Sequence, residues 1–292
     1  MPAATATQAR TRGAVALVLS SIVAIQSGSA LATGLFDSLG PLGTVFLRSL
    51  FGALCLVALT RGAPLRRRGW PHRDVALLGV VVAAVNLLFY AALDRLPLGI
   101  TVTLEFVGPL GVAVIGSRRR SDLAWALLAA VGIVLLANGG GGEVDALGVA
   151  LALGAGICWG AYIVQSARVG AVSPGIGGAT VAAIISAALV APFGLAQGGA
   201  ALLDPAHLLV AAVVGVLSTA IPYAFEIEAL RRLPQATFGV FMSLEPAVAA
   251  MIGFVALSQD LSPSEIVAIG LVVVASAGAL RAGPSLPPPR DS

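Results

Sequence analysis

The chain has 292 residues, of which 58% are hydrophobic and 11% charged, and its mean hydropathy is +0.97. A soluble domain carries about 25% charged residues, so most of this surface must face something other than water. The composition excludes a disordered chain, a collagen and a nucleic-acid-binding protein, and it predicts an all-α polytopic membrane protein. The net charge of +3 indicates no polyanion partner, because the basic residues fall between apolar segments.

Ten apolar segments, each near the length of about 20 residues that one crossing needs, predict ten transmembrane helices with short connections. They cover residues 13–34, 40–60, 74–93, 98–117, 122–138, 146–165, 175–196, 207–230, 234–257 and 263–280. Residues 1–12 are predicted to be a cytoplasmic N-terminal segment, and the Pro-rich residues 282–292 a disordered cytoplasmic tail.

The first span has an alternative interpretation. Arg10 and Arg12, an apolar run and then Ala30-Leu31-Ala32 resemble a cleavable signal peptide. Cleavage would leave nine helices in the same orientation. The internal repeat described below needs five helices in each half, and it therefore favours an uncleaved first helix.

The distribution of arginine predicts the orientation, because cytoplasmic loops of membrane proteins are richer in basic residues. The chain has no lysine, and all 17 basic residues are Arg. With the N-terminus inside, only Arg95 falls in an outer loop and only Arg48 lies within a span. The outer loops instead hold Asp37, Glu143, Asp145, Asp204, Asp260 and Glu265. We therefore predict a multi-pass protein of the inner (plasma) membrane with both termini in the cytoplasm.

A repeated segment divides the chain into two halves. The sequence from Ala92 to Pro97 returns from Ala229 to Pro234, and in both copies a second proline, Pro109 or Pro246, follows twelve residues later. The halves, 13–138 and 146–281, would each contain five helices. Because five is odd, the second half enters the membrane from the opposite side. The sequence thus predicts two inverted five-helix repeats, an arrangement typical of transporters with alternating access.

Three prolines inside spans are candidate helix breaks. Pro109, Pro222 and Pro246 each remove a backbone donor and free a carbonyl. Irregular backbone at membrane depth is tolerated where it is buried in protein or lines a cavity, which favours a place near a binding site. Simple packing kinks remain the alternative.

Polar groups within the spans are the candidate substrate-binding residues, since an ionisable group there costs about 2.5–3.5 kcal/mol. Arg48 and Glu105 have similar predicted depths, and Arg48 either pairs with Glu105 or binds a substrate carboxylate. The candidate binding set is Gln26, Arg48, Asn86, Tyr90, Glu105, Trp159, Tyr162 and Tyr223.

Carboxylates within the spans are the candidates for proton coupling, because a desolvated carboxylate can bind and release a proton in each cycle. The candidates are Glu105, Glu226 and Glu245, among which the sequence makes no choice. Glu228 is instead expected to pair with Arg231 or Arg232 at the membrane surface. Gly156 and Gly160 predict a close-packing helix face.

No enzyme motif is present. The sequence has no metal-diphosphate motif, phosphate loop, HExxH or GxSxG, and it has no potassium-channel filter motif. His72 and His207 form no metal cluster in the sequence. We expect no cofactor, no metal and no enzymatic activity. Without a nucleotide site, transport would be secondary, driven by an ion or substrate gradient.

Several short stretches carry a family resemblance through their order and spacing. They are Ile25–Ala32, Asn86–Tyr90, Leu96–Ile100, Leu104–Pro109, Gly154–Trp159, Ser218–Tyr223 and Met242–Pro246. The chain resembles the drug/metabolite transporter superfamily, EamA type, and within it the bacterial threonine/homoserine exporter branch. The resemblance implies export of small hydrophilic amino acids or related metabolites across the inner membrane against a proton gradient. Such transporters often carry Gly-Glu after the ninth span, where this chain has Ser258-Gln259.

Three functions compete. An exporter of small amino acids is favoured by the Arg, Glu, Gln, Asn and Tyr residues within the spans, which suit a zwitterion. A drug or other metabolite exporter of the same fold is the second. A non-transporter membrane protein, such as a lipid-modifying enzyme or a channel, is disfavoured by the repeat. The expected partners are the amino acid, protons and membrane lipid, with no nucleic acid; the sequence predicts no oligomeric state.

Overall fold

The computed structural model describes residues 2–66, 72–115, 120–138, 145–172, 176–230, 232–233 and 235–282. These ranges contain helices and turns and no strand, so the prediction of an all-α protein is confirmed. The α-helices are α1 Pro2–Thr33, α2 Phe36–Leu59, α3 Ala63–Arg66, α4 His72–Leu93, α5 Leu98–Glu105, α6 Val107–Ile115, α7 Arg120–Asn138, α8 Ala146–Val172, α9 Gly177–Gly198, α10 Pro205–Gly215, α11 Ile221–Leu230, α12 Gln235–Met242, α13 Glu245–Leu257 and α14 Pro263–Ala282. A 3₁₀ turn, Gly199–Leu203, precedes α10, and a π-helical turn, Val216–Ala220, joins α10 to α11.

The apolar helices coincide with the predicted spans. Seven are long and apolar enough to cross a membrane. Three shorter apolar helices, Leu98–Val112, Ala124–Leu135 and Pro263–Gly278, occupy the predicted fourth, fifth and tenth spans. The chain is therefore a multi-pass membrane protein. The first helix is already helical from Pro2, and the predicted tail lies outside the described residues from 283 onward.

The fourth and ninth spans are each broken into two helices. α5 ends at Glu105 and α6 begins at Val107, whereas α12 ends at Met242 and α13 begins at Glu245. The first helix of each pair begins and ends 137 positions from its counterpart (98 and 235, 105 and 242), the same offset as the prolines. Each break lies just before its proline, which cannot donate to the carbonyl four residues earlier.

The contacts between spans show the same correspondence between the first five spans and the last five. The second, fourth and fifth spans pack on the seventh, ninth and tenth, through α2 with α9, α5 with α13 and α7 with α14. The third span packs on the sixth through α4 and α8, and the first packs on the eighth through α1 and α11. If spans one to five change places with spans six to ten, in order, the list of contacting spans stays the same.

Side chains cap several helices at the end of the bundle where α4 ends and α8 begins. Asp145 accepts a hydrogen bond from the Gly148 backbone N–H at 2.9 Å, and Asp204 accepts one from Ala206 at 2.8 Å. Ser262 and Glu265 form a reciprocal capping box at the start of α14. Acidic residues that the sequence assigned to outer loops therefore satisfy the free N–H groups of helix starts.

The residue after Ser258 also acts as a cap. Ser258 has a left-handed backbone at the end of α13, with φ of 53°. The adjacent Gln259 side chain accepts a hydrogen bond from the Leu98 backbone N–H at 2.9 Å, at the start of α5. Gln259 thus connects the ninth span to the fourth, and a neutral amide oxygen suffices for this bond.

The glycines of α8 form the close-packing face that their spacing predicts. A side chain at Gly108 of α6 would overlap the carbonyl oxygen of Gly156 and come within 2.9 Å of the Gly160 nitrogen. A side chain at Gly156 would in turn meet the Glu105 carbonyl at 2.6 Å. The broken fourth span and α8 therefore approach each other backbone to backbone.

Gly108→Ala is expected to destabilise the protein by about 1–3 kcal/mol, because the added methyl group forces the two helices apart. Gly111→Ala, on the same helix, is the matched control, since nothing lies within 4 Å of its added methyl group. Thermal unfolding of both variants in detergent tests the difference. An equal melting temperature for the two would contradict this close contact.

Candidate substrate cavity

A cavity of about 510 Å³ lies between α1, α2, α4, α8, α9 and the π-turn with α11. One end reaches exposed Gly170 and the start of α9 at Gly178, where the cavity opens. Arg48 and Asn86 lie about halfway along their helices, at the deep end. The polar and aromatic lining residues are Arg48, Ser49, Asn86, Trp159, Tyr162, Ser166, Ser186, Ser218, Thr219 and Glu226.

Beyond Arg48 the bundle is closed by an apolar cluster, which we call the apolar plug. Its buried members include Ala30, Ala32, Val45, Phe89, Tyr90, Leu93 and Leu98. The ring of Tyr90 lies 6.0 Å from that of Phe36 and 5.7 Å from that of Phe89, measured between centroids. Among the described residues, this plug separates the deep end of the cavity from the end of the bundle where α4 ends.

Arg48 is held at the deep end of the cavity by two neighbours. Its Nη1 donates to Asn86 Oδ1 at 2.5 Å, and its guanidinium carbon lies 5.5 Å from the centroid of the Tyr90 ring. Its Nε is buried and has no hydrogen-bond partner among the residues that the structure describes. The guanidinium is thus oriented by an amide and an aromatic face, and part of its donor capacity remains available.

Three serine hydroxyls in the cavity wall share this lack of partners. The Oγ atoms of Ser49, Ser186 and Ser218 are buried and unpaired among the described residues. Ser218 lies in the π-turn, where its hydroxyl packs against Gly28 of α1. Neighbouring Thr219 packs its hydroxyl against Gly52 of α2. The π-turn, a feature frequent at functional sites, thus brings hydroxyl groups to the cavity.

Two carboxylates contact α1. Ser21 donates to Glu226 at 2.7 Å, and Gln26 Nε2 donates to Glu245 Oε1 at 2.9 Å. The remaining oxygens of that second pair, Gln26 Oε1 and Glu245 Oε2, are buried without a hydrogen-bond partner. Glu245 interacts electrostatically with Glu226 and with Glu105, so the three carboxylates form one cluster.

The cavity contains only part of the predicted set. Arg48, Asn86, Trp159, Tyr162, Pro222 and Glu226 line it, whereas Gln26, Tyr90, Glu105, Glu245, Pro109 and Pro246 do not. Tyr223 lies on α11, but its side chain is outside the described residues. Tyr90 instead belongs to the apolar plug, and the two helix breaks bring Glu105 and Glu245 together behind the cavity wall.

The expected pairing of Arg48 with Glu105 takes a different form, and Arg48 is also far from Glu226. Arg48 and Glu105 are both described, and no ion pair within 4.0 Å joins them, although they interact electrostatically. Thr219 contacts Gly52, so these two residues lie at the same depth. Gly52 is four residues after Arg48 and Glu226 is seven residues after Thr219, and the two offsets add along the bundle. At 1.5 Å per residue, Arg48 and Glu226 are roughly 16 Å apart along the bundle, too far to hold both ends of one small amino acid.

The sequence did not identify the cavity hydroxyls. Ser49, Ser166, Ser186, Ser218 and Thr219 are small, neutral and inexpensive within a membrane, so no insertion penalty marks them as functional. One signal was available, since Ser218 and Thr219 lie four and three residues before Pro222, where a disturbed helix could expose them. The expected surface pair did form, with Arg232 donating to Glu228 at 2.5–2.8 Å.

A multi-pass helical bundle with a polar cavity open at one end defines a membrane transporter. Residues 146–281 match the EamA-like transporter family. The chain is 41% identical over 268 residues to the threonine/homoserine exporter RhtA of Escherichia coli strain K12, covering 90% of both chains, and the same values hold for RhtA of Salmonella typhimurium. This chain belongs to the EamA-like transporter family, and it is a transporter and not an enzyme.

More distant relatives agree with this assignment. The chain is 27% identical over 256 residues to the uncharacterized transporter YwfM of Bacillus subtilis, covering 82% of this chain and 86% of that one. A solved crystal structure aligns with a TM-score of 0.62 at 22% identity, over 91% of this chain and 96% of the other. At that identity the alignment supports the fold alone.

Proposed function

We propose that this protein exports small hydroxylated amino acids of the threonine and homoserine kind across the inner membrane. The observation that carries the proposal is Arg48, an oriented cation at the deep end of a polar cavity with unused donor capacity. A guanidinium binds a carboxylate through paired charge-assisted hydrogen bonds. Trp159 lines the same cavity, and its ring face can attract the substrate ammonium.

Alternating access between two inverted five-helix halves is the proposed transport cycle. The halves are 13–138 and 146–281, flanked by a short N-terminal segment and a C-terminal tail. The matching helix breaks and the exchangeable packing of the spans support this repeat. A cavity open at one end and plugged at the other is what one state of such a cycle requires.

Proton antiport is proposed to use the carboxylate cluster of Glu105, Glu226 and Glu245. Glu245 Oε2 and Gln26 Oε1 are both acceptors when Glu245 is ionised, and neither has a donor. Gln26 Nε2 already donates to Glu245 Oε1, and a proton on Glu245 Oε2 would turn one of the two unpaired oxygens into a donor, as buried polar groups are normally paired. This supports Glu245 as the residue that carries the proton. Glu226, which lines the cavity, would pass the proton between Glu245 and the cavity.

Proteoliposomes with an imposed pH gradient test the function. Threonine and homoserine are expected to move against the proton gradient, and a panel of other amino acids and cationic dyes serves for comparison. Cells that express the protein should also tolerate toxic external threonine or homoserine and accumulate less of either. Dye efflux without transport of any amino acid would instead favour the drug-exporter alternative.

The orientation is proposed to place both termini and the open end of the cavity in the cytoplasm. A cysteine at Arg67, which lies outside the described residues, should resist an impermeant thiol reagent in intact cells and react after permeabilisation. Cys55 and Cys158 are replaced by alanine in the background. Labelling of that cysteine from outside intact cells would reverse the topology.

A further inference from the structure

Two serines of the cavity wall lack hydrogen-bond partners. Ser49 follows Arg48 on α2, and Ser186 lies on α9 with 1% of its surface exposed. Both residues line the cavity, and neither hydroxyl has a partner among the described residues. An unpaired buried hydroxyl is unfavourable. Because each hydroxyl turns about one bond between staggered rotamers, it can reach a ligand group in the cavity.

The two serines lie at successive depths beside Arg48. α2 and α9 are antiparallel, since Gly43 approaches Gly198 and Phe46 approaches Gly194. Counting 1.5 Å per residue from these contacts, Ser186 lies roughly 9 Å nearer the opening than Arg48, with Ser49 between them. A ligand whose carboxylate is held by Arg48 therefore has Ser49 beside it and Ser186 further towards the opening.

We infer that Ser49 and Ser186 recognise the side-chain hydroxyl of the substrate while Arg48 holds its carboxylate. This inference rests on the proposed function and names its specificity-determining residues. A hydroxyl both donates to and accepts from serine, whereas a methyl group in its place leaves the serine unpaired. Sites that pair with a substrate hydroxyl reject analogues without it more strongly than apolar pockets reject size differences.

Threonine and homoserine carry the hydroxyl at different distances from the carboxylate. A β-hydroxyl, as in threonine, lies close to the carboxylate and near Ser49. A γ-hydroxyl, as in homoserine, reaches further towards Ser186. The remaining wall near them is apolar and small, with Ala53, Val82 and Ala183, so it accepts the carbon skeleton of either amino acid without adding a competing polar group.

Competing substrates in proteoliposomes test the inference. Valine replaces the hydroxyl of threonine by a methyl group, and norvaline does the same for homoserine. The unmodified protein should prefer the hydroxylated member of each pair. Ser49→Ala should lower the threonine-to-valine ratio of transport rates roughly five- to tenfold, and Ser186→Ala should lower the homoserine-to-norvaline ratio by a similar factor. Valine and norvaline transport should change little.

Ser276→Ala is the matched control. Ser276 on α14 is also 1% exposed with an unpaired hydroxyl, but it does not line the cavity, so its substitution should leave both ratios unchanged. A variant with too little transport is assayed instead by the shift in melting temperature that each amino acid produces, since a ligand stabilises the folded protein in proportion to its binding.

Ratios that stay at the wild-type value in both serine variants overturn the inference. So does an unmodified protein that carries threonine and valine equally, and in that case the proposed export function survives. An unmodified protein that neither transports nor is stabilised by any amino acid overturns the proposed function as well.

Discussion

Arg48→Gln is expected to reduce threonine transport at least 100-fold while the protein remains folded. The substitution removes the fork that would bind the substrate carboxylate, and hydrogen bonds to a charged group contribute about 1.5–3 kcal/mol each. Two such bonds correspond to about a hundredfold or more in binding. Initial rates in proteoliposomes, together with the melting temperature of the purified variant, measure transport and folding separately.

Arg48→Lys and Arg168→Gln complete this experiment. Lysine keeps the charge but loses the planar fork that bonds Asn86 and stacks on Tyr90, so it should retain only a small part of the activity. Arg168 is exposed on α8 and does not line the cavity, so its replacement should have no effect on transport. Wild-type rates for Arg48→Gln would exclude Arg48 from substrate binding.

Glu245→Gln is expected to abolish proton-driven accumulation while exchange of substrate across the membrane continues without a gradient. Glutamine keeps the shape of a protonated glutamate and can donate to Gln26, so the buried contact with α1 is preserved. It cannot release a proton, so substrate movement is no longer linked to the pH gradient. Accumulation measured with an imposed pH gradient should fall at least tenfold. Counterflow, measured without a gradient, should continue.

The other two carboxylates give a graded comparison. Glu105→Gln should impair transport more than folding, because Glu105 interacts electrostatically with both Glu245 and Arg48. Glu226→Gln should slow proton-driven transport without abolishing it, because Glu226 lines the cavity whereas Glu245 does not. Full proton-driven accumulation by Glu245→Gln would assign the proton to one of these two residues.

The depth of a residue in the membrane was predictable from the sequence, but its neighbours were not. Apolar runs and prolines located the apolar helices and the two helix breaks, because these depend on local composition. The rise per residue placed Arg48 and Glu105 at one depth. It carries no information on the direction of each side chain around its helix, and Glu105 in fact forms no ion pair with Arg48.

The hydroxyl groups of the cavity were missed for a related reason. Ser49 and Ser186 become notable only when α2 and α9 meet and leave both without partners. That condition belongs to the assembled bundle, since a serine within an isolated helix can bond its own backbone. Sequence patterns identify residues that are costly in a membrane, and these two are not.

The exposed ion pair between Arg95 and Asp145, 2.8 Å long, links the loop after α4 to the residue just before α8, at the end of the bundle where the apolar plug lies. Any rearrangement that opens this end must separate the pair. An exposed ion pair is weak and screened by salt, so it stabilises the closed end only slightly. The Gly148 backbone N–H and the Arg95 guanidinium keep the pKa of Asp145 below its ordinary value. Asp145 therefore remains charged in a mildly acidic medium, and its ion pair with Arg95 persists there.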